Sequence, residues 1–455
     1  MNSRRVGERP PLQGDIHDHS SPDYYHSSDT ACQKVEGIQW LKRLDWKART
    51  KPLEALLLSY RARHEACVKI DNGLPGNYIR VTSNSDLGIG NTLPSVITGF
   101  VLALVMERCL FIDFPFYEDF FEPELDFSWG NHHDRLLAAG HDTREEANIP
   151  KRINSEHSAG YKEIADTWLF KNLTEEFQHS YGVELWLDFD WTAALLQSNP
   201  YHKEFVDLYF PTREIFAALS PFMLRVTPRL QDRITAFKQQ NFGLFTIGLQ
   251  IRRQKCESLS DDMMEAMDMH CALRPSIESF CAMAVSIQLS HGLHDKDVRF
   301  FLAADNEEVY HQVSEILGRE RVIFTDNGIA PLTHVDHLQH TPSNNPGTLE
   351  SGLMDMALLS QCDDIVMTIT SSFGYIAAAW GGIAPVHMVY GKHLSARNPY
   401  WYRAITSEPC YFEAKDLMQA ISKEGLERFK SNPFWMQYSQ CHHGAPDLLT
   451  APSWR

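Results

Sequence analysis

The chain lacks a long apolar run, an excess of positive charge and a metal-binding cysteine pattern. Its longest apolar stretch, Leu93 to Met106, contains proline, serine, threonine and glycine and is shorter than the roughly 20 residues that cross a bilayer. Its 42 lysines and arginines are outnumbered by 59 aspartates and glutamates, which gives a net charge of −17. Because no basic cluster offsets that balance, nucleic acid is excluded as the expected partner.

The nine cysteines form no CxxC pair and no Cys/His spacing of the kind that binds a metal. Cys109 and Cys362 lie in apolar stretches, which predicts buried thiols rather than disulfide partners. The pattern leaves open whether Cys67 or Cys410 forms a disulfide. One glycosylation sequon, Asn172-Leu173-Thr174, is compatible with a secretory location.

The N-terminal segment is rich in proline, serine, aspartate and histidine. It contains no apolar core typical of a signal peptide or an anchor, so residues 1–45 are predicted to be a flexible leader. At 455 residues, 43% of them hydrophobic, the chain is long enough for two domains with separate cores.

The sequence pattern of the first half predicts an α/β domain over residues 46–238. The strand Tyr78 to Val81 leads through a glycine-containing turn into the helix Leu93 to Met106, and a second strand, Cys109 to Phe114, follows at once. A right-handed crossover makes two such strands parallel neighbours. From Phe116 to about Phe177, the mixture of aromatics, prolines and charges predicts loops and short helices over that sheet.

The second half alternates strands with helices, from the strand Leu244 to Ile251 to the strand Pro385 to Val389. This alternation predicts a parallel, doubly wound sheet in residues 239–412, followed by a C-terminal helix and tail, 413–455. A linker at Lys238 to Asn241 is predicted to separate the domains. The expected fold class is therefore α/β, with two Rossmann-like domains facing a cleft that holds the ligand.

One segment of the second half, Asp363 to Gly382, combines a strand, a tight turn and the start of a helix. The apolar run Ile365 to Ile369 is followed by the hydroxyl cluster Thr370 to Ser372 and then by an alanine-rich stretch. A helix N-terminus at the carboxyl end of a sheet offers free N–H groups and a positive dipole end to an anion such as phosphate. The alternative is that Ser372 only caps a helix that starts at Phe373.

Two further strand ends are expected at the same edge of this sheet. Arg252 follows the strand Leu244 to Ile251, and its planar guanidinium suits phosphate because it donates hydrogen bonds in pairs. Asp305 closes the strand Val298 to Ala303 and could accept from a base or a ribose. Their structural alternatives are a surface ion pair for Arg252 and a helix cap for Asp305. Together the three strand ends predict a nucleotide diphosphate site.

The order of short motifs along the chain resembles that of the plant xyloglucan fucosyltransferases, an α-1,2-fucosyltransferase family related to α-1,6- and protein O-fucosyltransferases. Ser59 to Cys67 is similar to that family's Y-x-x-L-H-x-x-C segment, and Leu87 to Asn91 is similar to GLGN. Further similar segments are Phe121-Glu122-Pro123, Ser128-Trp129, Leu187 to Asp190, Ile247 to Arg252, Ser371 to Tyr375 and Ser407 to Cys410. The resemblance therefore covers nearly the whole chain.

This resemblance implies a GT-B-like fold that binds GDP-fucose in its C-terminal domain without a metal or another cofactor. Arg252 resembles the arginine that holds the β-phosphate, and Asp305 resembles the aspartate that reads guanine. The other implied donor-site residues belong to a segment that wraps the phosphates and ribose and to a loop that faces it from the first domain. They are Ser371, Ser372 and Phe373, and Gly88, Gly90 and Asn91.

The implied reaction is an inverting transfer of L-fucose from GDP-fucose to a galactose hydroxyl of a cell-wall or glycoprotein glycan such as xyloglucan, in the Golgi lumen. Arg252 and the helix N-terminus after Ser372 are expected to stabilise the departing GDP. Asp113, at the end of a first-domain strand, is the candidate general base, or else it caps a turn. The oligomeric state is left open.

Three sequence features are relevant to this interpretation. Thr92 stands where the family usually has arginine after GLGN, and Arg253 is an additional arginine beside Arg252. Asp188-Phe189-Asp190 matches the DxD that binds manganese in other glycosyltransferases. It precedes the nucleotide domain, however, and that context favours a structural role.

Two other classes of function stay open as alternatives. Thr92 and the lack of a visible anchor are compatible with a non-catalytic relative that binds nucleotide sugars or glycans. The α/β pattern and the turn Gly88-Ile89-Gly90 are compatible with a nicotinamide-dependent oxidoreductase, although GxGxxG is incomplete because position 93 is leucine.

Overall fold

A computed structural model gives the structure of the chain. It describes residues 50–69, 77–82, 88–114, 117–139, 151–154, 167–186, 191–253, 275–305, 307–325, 346–369, 371–388, 401–404, 406–409 and 427. The predicted leader, 1–45, and the DxD at 188–190 lie outside these residues, as does the predicted tail, 413–455, apart from Glu427.

The first sheet has four parallel strands in the order β2-β1-β4-β3. They are β1 (Tyr78–Thr82), β2 (Cys109–Asp113), β3 (Lys151–Asn154) and β4 (Gly182–Trp186). The prediction of only loops and short helices over 116–177 was wrong at β3. The sequence of β3 has no run of β-branched residues, and it forms a strand because β4 offers its backbone a parallel partner.

The helices of this half include one that is buried along nearly its whole length. This helix, α2, starts at Ile89, earlier than predicted, because the turn that contains Gly90 already supplies its first residues. The helices are α1 (Lys51–Lys69), α2 (Ile89–Val105), α3 (Tyr117–Phe120), α4 (Trp129–Ala138), α5 (Leu173–Phe177), α6 (Lys203–Tyr209), α7 (Ile215–Met223) and α8 (Pro228–Asn241), with a 3₁₀ helix at Thr192–Ser198. The segment 238–241, predicted as a linker, is instead the last turn of α8.

The second sheet has six strands in the order β10-β9-β8-β5-β6-β7. They are β5 (Phe245–Ile251), β6 (Val298–Ala304), β7 (Val322–Ile323), β8 (Asp364–Thr368), β9 (Val386–Met388) and β10 (Trp401–Arg403). All neighbours are parallel except β10, which pairs antiparallel with β9. The predicted parallel sheet is thus confirmed, with an antiparallel edge strand that the sequence pattern did not indicate.

The helices of the second half lie between these strands along the chain. They are α9 (Ile277–Ser290), α10 (Glu307–Leu317), α11 (Pro346–Leu359) and α12 (Ser372–Gly381), with a 3₁₀ turn at Asp295–Asp297. Among all helices that the structure describes, none is long and apolar enough to cross a membrane.

The two halves meet at several helix contacts, among them those of α12 in the second half with α2 and α7 in the first. Within the first half, the rings of Phe100 on α2 and Phe222 on α7 are stacked with their centroids 5.2 Å apart. Buried residues of both sheets and of these helices belong to one continuous hydrophobic cluster. The position of α2 relative to α12 is therefore fixed by core packing.

The segment similar to Y-x-x-L-H-x-x-C lies on one face of α1 and attaches this helix to the first sheet. Residues three and four apart share a helix face, so Tyr60 and His64 both point at the first sheet. The Leu110 N–H donates to the Tyr60 hydroxyl (3.0 Å), which donates to His64 Nδ1 (3.3 Å), and His64 Nε2 donates to the Asp126 carbonyl (2.8 Å). Burial lowers the pKa of His64 to about 4, so the imidazole is neutral in this chain of hydrogen bonds.

The third residue of that face, Cys67, forms a disulfide with Cys109 of β2, with the Cα atoms 6.5 Å apart. The prediction that Cys109 is a buried thiol was therefore wrong, whereas Cys362 is a buried thiol as predicted. Cys109 and Cys362 both lie in apolar surroundings. Only the packing of α1 on β2, which brings Cys67 to Cys109, distinguishes them. A crosslink across 42 residues of sequence is expected to stabilise the fold by about 4 kcal/mol, by restricting the unfolded chain.

Candidate functional site

The second sheet reverses its direction of growth at β5. From β5 the chain adds β6 and β7 on one side, and it then returns to add β8, β9 and β10 on the other side. Ligands of such sheets bind outside the carboxyl ends of the two strands at which the order reverses. Those ends are Ile251 of β5 and Thr368 of β8. The residues that follow them include Arg252 and Ser371, so the topology brings these two predicted site residues to one edge.

Arg252 is attached to the end of β8 through its backbone. Its N–H donates to Thr368 Oγ1 (3.0 Å), and that hydroxyl donates in turn to the Gln250 carbonyl (3.3 Å). The side chain of Arg252 is half-buried. The two bonds fix the point at which the arginine leaves β5, beside the turn that leads into α12.

That turn ends at Ser371, the N-cap residue of α12. The helix begins at Ser372, one residue earlier than predicted, so the expectation that Ser372 caps it was wrong. Ser371 makes no capping bond through its side chain either, and its buried Oγ has no hydrogen-bond partner among the described residues. An unpaired buried hydroxyl costs about 1–3 kcal/mol, which a ligand oxygen bound there would recover.

The N-terminus of α2 lies directly against that of α12. A Cβ atom added to Gly90 would lie 3.0 Å from the backbone nitrogen of Phe373 and 3.2 Å from the carbonyl carbon of Ser372. Gly90 therefore permits a closer approach of the two helices than a residue with a side chain would. Because two helix N-termini meet there, their first-turn N–H groups and positive dipole ends are concentrated in one small region.

The neighbours of Gly90 have other surroundings. A Cβ atom at Gly88 would meet nothing within 4 Å, whereas the Gly88 carbonyl accepts from the Asn91 N–H (2.8 Å). Thr92, at the position where the resemblance predicts arginine, is fully buried and donates its hydroxyl to the same carbonyl (3.4 Å). Position 92 thus contributes to the interior packing of α2 in this chain.

Asp305 ties the ends of β5 and β6 together. It is buried, and its Oδ1 accepts from the Arg253 N–H (2.7 Å). The Arg253 guanidinium donates from Nη1 to the Pro275 carbonyl (3.1 Å). Asp305 therefore lies at the same sheet edge as Arg252, and it holds the peptide that follows Arg252. Its role in reading a base stays a prediction.

Asp113 is held within the first sheet. Arg80 donates to its Oδ2 from Nε (3.1 Å) and also from Nη2, and the same guanidinium lies 3.8 Å from a Glu184 carboxylate oxygen. The guanidinium also stacks on the Trp129 ring, 4.6 Å from its centroid. The assignment of Asp113 as the general base stays a prediction.

Gln250 and Thr368, which adjoin Arg252 and the start of α12, were not predicted from the sequence. Gln250 is buried, and a Cβ atom added to Gly374 in the first turn of α12 would lie 2.9 Å from its Oε1. That oxygen has no hydrogen-bond partner among the described residues. The polar Gln250 between the apolar residues Leu249 and Ile251 was the available signal.

The described residues contain no group of three or more His, Cys, Asp or Glu side chains that could hold a metal ion. The alternative metal motif, Asp188-Phe189-Asp190, lies outside those residues. Metal independence is therefore still a prediction from the resemblance.

The chain belongs to the xyloglucan fucosyltransferase family, whose model matches residues 186–416, half of the chain. A galactoside 2-alpha-L-fucosyltransferase of Pisum sativum is 21% identical over 365 residues, which cover 75% of this chain and 63% of that protein. "Probable fucosyltransferase 7" of Arabidopsis thaliana is 31% identical over 94 residues, which cover 21% of this chain and 18% of that protein. The chain thus spans less than two thirds of the length of these curated relatives.

A solved structure confirms the fold class. It is that of an Arabidopsis thaliana FUT1 mutant in complex with GDP, and it matches this chain with a TM-score of 0.57 at 16% identity. The match covers 80% of this chain and 85% of that one. The α/β fold of GT-B type that the sequence predicted is therefore present.

Proposed function

We propose that this protein is a fucosyltransferase that moves L-fucose from GDP-fucose to a galactose hydroxyl, in α-1,2 linkage, on a glycan such as xyloglucan. The observation that carries the proposal is the meeting of two helix N-termini, at Gly90 and Phe373, beside Arg252. The names of the relatives support the same reaction, since one is a galactoside 2-alpha-L-fucosyltransferase and another binds GDP.

The reaction releases a nucleoside diphosphate, and the site suits that leaving group. When the bond between the fucose anomeric carbon and the β-phosphate oxygen breaks, negative charge accumulates on the phosphate. Oriented donors that already point at this charge lower the barrier without having to reorganise. The first-turn N–H groups of α2 and α12, the Ser371 hydroxyl and the Arg252 guanidinium are the donors that we assign to it.

The step itself is an inverting displacement. The acceptor hydroxyl oxygen forms a bond to the anomeric carbon as the electron pair of the breaking bond leaves with GDP. The hydroxyl proton passes to a general base, for which Asp113 is the candidate, through a rearrangement of its pair with Arg80. Ser372 and Phe373 are assigned to the phosphates and ribose, together with Gly88, Gly90 and Asn91 across from them.

We also propose the substrates, the cofactor requirement and the cellular location of this reaction. The acceptor is a galactose-containing oligo- or polysaccharide, the donor is GDP-fucose, and no metal or other cofactor takes part. Membership of the family supports a Golgi location, where glycans of this kind are built.

Nucleotide selectivity tests the donor assignment. Titration calorimetry on the full chain is expected to show GDP binding about 10- to 100-fold more tightly than ADP or UDP, the equivalent of one hydrogen bond to a charged group. The reason is that guanine presents two adjacent N–H donors to the Asp305 carboxylate, which adenine and uracil do not.

Asp305→Asn is the matched variant for this titration. It keeps an acceptor for the Arg253 N–H but places an amide where the guanine donors would bind, so GDP selectivity is expected to fall while the fold is kept. Tighter binding of UDP than GDP by the wild type would contradict the donor. Selectivity that survives in the variant would remove Asp305 from base recognition.

A further inference from the structure

Two buried carboxylates, which are not among the donors described above, interact with each other. Glu214 directly precedes α7, and Glu408 lies in the segment 406–409 that follows β10, the edge strand of the second sheet. Their exposed fractions are 1% and 6%. Glu408 belongs to the motif Ser407 to Cys410, to which the proposed reaction assigns no role. We call these two residues the carboxylate pair.

The partners of Glu408 are N–H groups. Its Oε2 accepts from the Trp191 indole (2.8 Å), and its Oε1 accepts from the backbone of Phe216 in the first turn of α7 (2.7 Å). The Ile215 N–H also points at this carboxylate. N–H groups can only donate, and a helix N-terminus favours negative charge. The surroundings of Glu408 therefore suit an ionised carboxylate.

The partners of Glu214 include two hydroxyls. It accepts from the side chains of Thr406 and Ser407 and from the Ser407 N–H (3.2 Å). A hydroxyl can reverse its role and accept, so a protonated Glu214 can donate its proton to Thr406 or Ser407 without losing its partners. This difference in partners places a proton of the carboxylate pair on Glu214.

Among the described residues, no cation neutralises the negative charge of the carboxylate pair. The neighbouring cations are already paired, Arg213 with Asp207 and Arg403 with Asp364. Burial without a cation raises the pKa of Glu214 to about 8, and burial and the neighbouring carboxylate raise that of Glu408. Two adjacent buried carboxylates are rarely both ionised, because each charge raises the cost of the other.

The carboxylate pair connects elements that build the proposed donor site. Glu408 follows the last strand of the second sheet, and α7, whose start it binds, packs against both α2 and α12. These are the two helices whose N-termini meet at Gly90 and Phe373. A change at the start of α7 is therefore transmitted to the helices through direct packing.

We propose that Glu214 and Glu408 are positioning residues for the nucleotide: with one proton, held by Glu214, they fix segment 406–409 to the start of α7 and so keep the N-termini of α2 and α12 together. This inference rests on the proposed function for its ligand. Loss of the proton places two negative charges in a buried space without a cation, which drives the segment and the helix apart.

The sign of the pH dependence follows from the proton. The pKa of an unburied glutamate is 4.5, whereas burial raises the pKa of Glu214 in the folded protein to about 8. Between these two pH values the folded state therefore binds more protons than the unfolded state. Stability is therefore lost as the pH rises through that interval, and the full penalty is present above it. Glu214→Gln is neutral at every pH and removes the contribution of this residue.

Calorimetric GDP binding by the full chain at about pH 7 and about pH 9 tests the inference, since the terminal phosphate of GDP is ionised at both. Wild-type Kd is expected to rise about 10-fold between them, and that of Glu214→Gln less than about 2-fold. Glu204→Gln, an exposed carboxylate on α6, is the matched control and is expected to behave as the wild type. Thermal unfolding midpoints at the same pH values are measured in parallel.

Each departure from these results has a defined meaning. Equal pH dependence of Kd in the wild type and Glu214→Gln would overturn the positioning role. If only the unfolding midpoint becomes pH-independent in the variant, the carboxylate pair is merely structural.

Glu408→Gln is expected to unfold more easily at every pH, because its amide would face N–H donors. If Glu408→Gln is as stable as the wild type while Glu214→Gln is destabilised, the assignment of the proton to Glu214 is overturned. Failure of the wild type to bind GDP at any pH contradicts the proposed function, while the midpoints still test the carboxylate pair.

Discussion

Replacing Arg252 by alanine is expected to lower kcat/KM for fucosyl transfer by about 10²- to 10³-fold, the usual cost of removing one oriented donor from developing negative charge. The loss is expected mainly in kcat, because the β-phosphate gains charge as the bond to fucose breaks. Arg252→Lys is expected to recover part of the rate, since it keeps the charge but not the planar pair of donors. Steady-state rates of GDP release measure both.

Arg253→Ala is the matched control for this substitution. It removes the same side chain from the next position, where the guanidinium donates to the Pro275 carbonyl. We expect its effect on kcat/KM to be much smaller. Near wild-type activity of Arg252→Ala, or an equal loss in both variants, would contradict the assignment of Arg252 to the leaving group.

Gly90→Ala is expected to lower kcat/KM and GDP affinity by about 10-fold or more. The added methyl group would lie 3.0–3.2 Å from the backbone of Ser372 and Phe373, and backbone cannot rotate away as a side chain can. The two helix N-termini must then separate by a few tenths of an ångström. Misplacement of binding groups on this scale is costly, and 1 Å can reduce a rate about 10²-fold. Calorimetry with GDP and initial rates measure the two effects.

Gly130→Ala provides the control for Gly90→Ala. Gly130 is exposed in the first turn of α4, and a Cβ atom there would approach only the Ser128 Oγ, at 3.8 Å. The variant is expected to leave activity within about 2-fold of the wild type, since Gly130 is not among the residues assigned to the donor. Equal losses in both variants would contradict the role given to the close approach of the two helices.

The arrangement of the second half could be predicted from the sequence because its signals are local. Apolar β-branched runs that alternate with helical stretches specify a parallel sheet, and the carboxyl ends of its strands share one edge. The sequence pattern accordingly places Arg252, Asp305 and Ser371 at one edge. The strand β3 was missed, because what makes it a strand is its partner β4 rather than its own residues.

The finer features of the site depend on contacts between distant segments. No local pattern shows that Gly90 packs on Phe373, or that the hydroxyl of Ser371 is buried without a partner. The pairing of Cys67 with Cys109 and the meeting of Glu214 with Glu408 likewise follow from how helices pack on sheets. Sequence reasoning identified the residue types that suit a diphosphate, and tertiary packing decides how they are presented.

Product analysis after incubation of the protein with GDP-fucose and a galactose-terminated xyloglucan oligosaccharide is the decisive test of the proposed reaction. We expect release of GDP that depends on the acceptor, together with an oligosaccharide that carries one additional fucose in α linkage at the galactose 2-hydroxyl. Arg252→Ala should form this product far more slowly. Tight binding of GDP-fucose without transfer to any galactosylated acceptor, or transfer from a UDP-sugar instead, would contradict it.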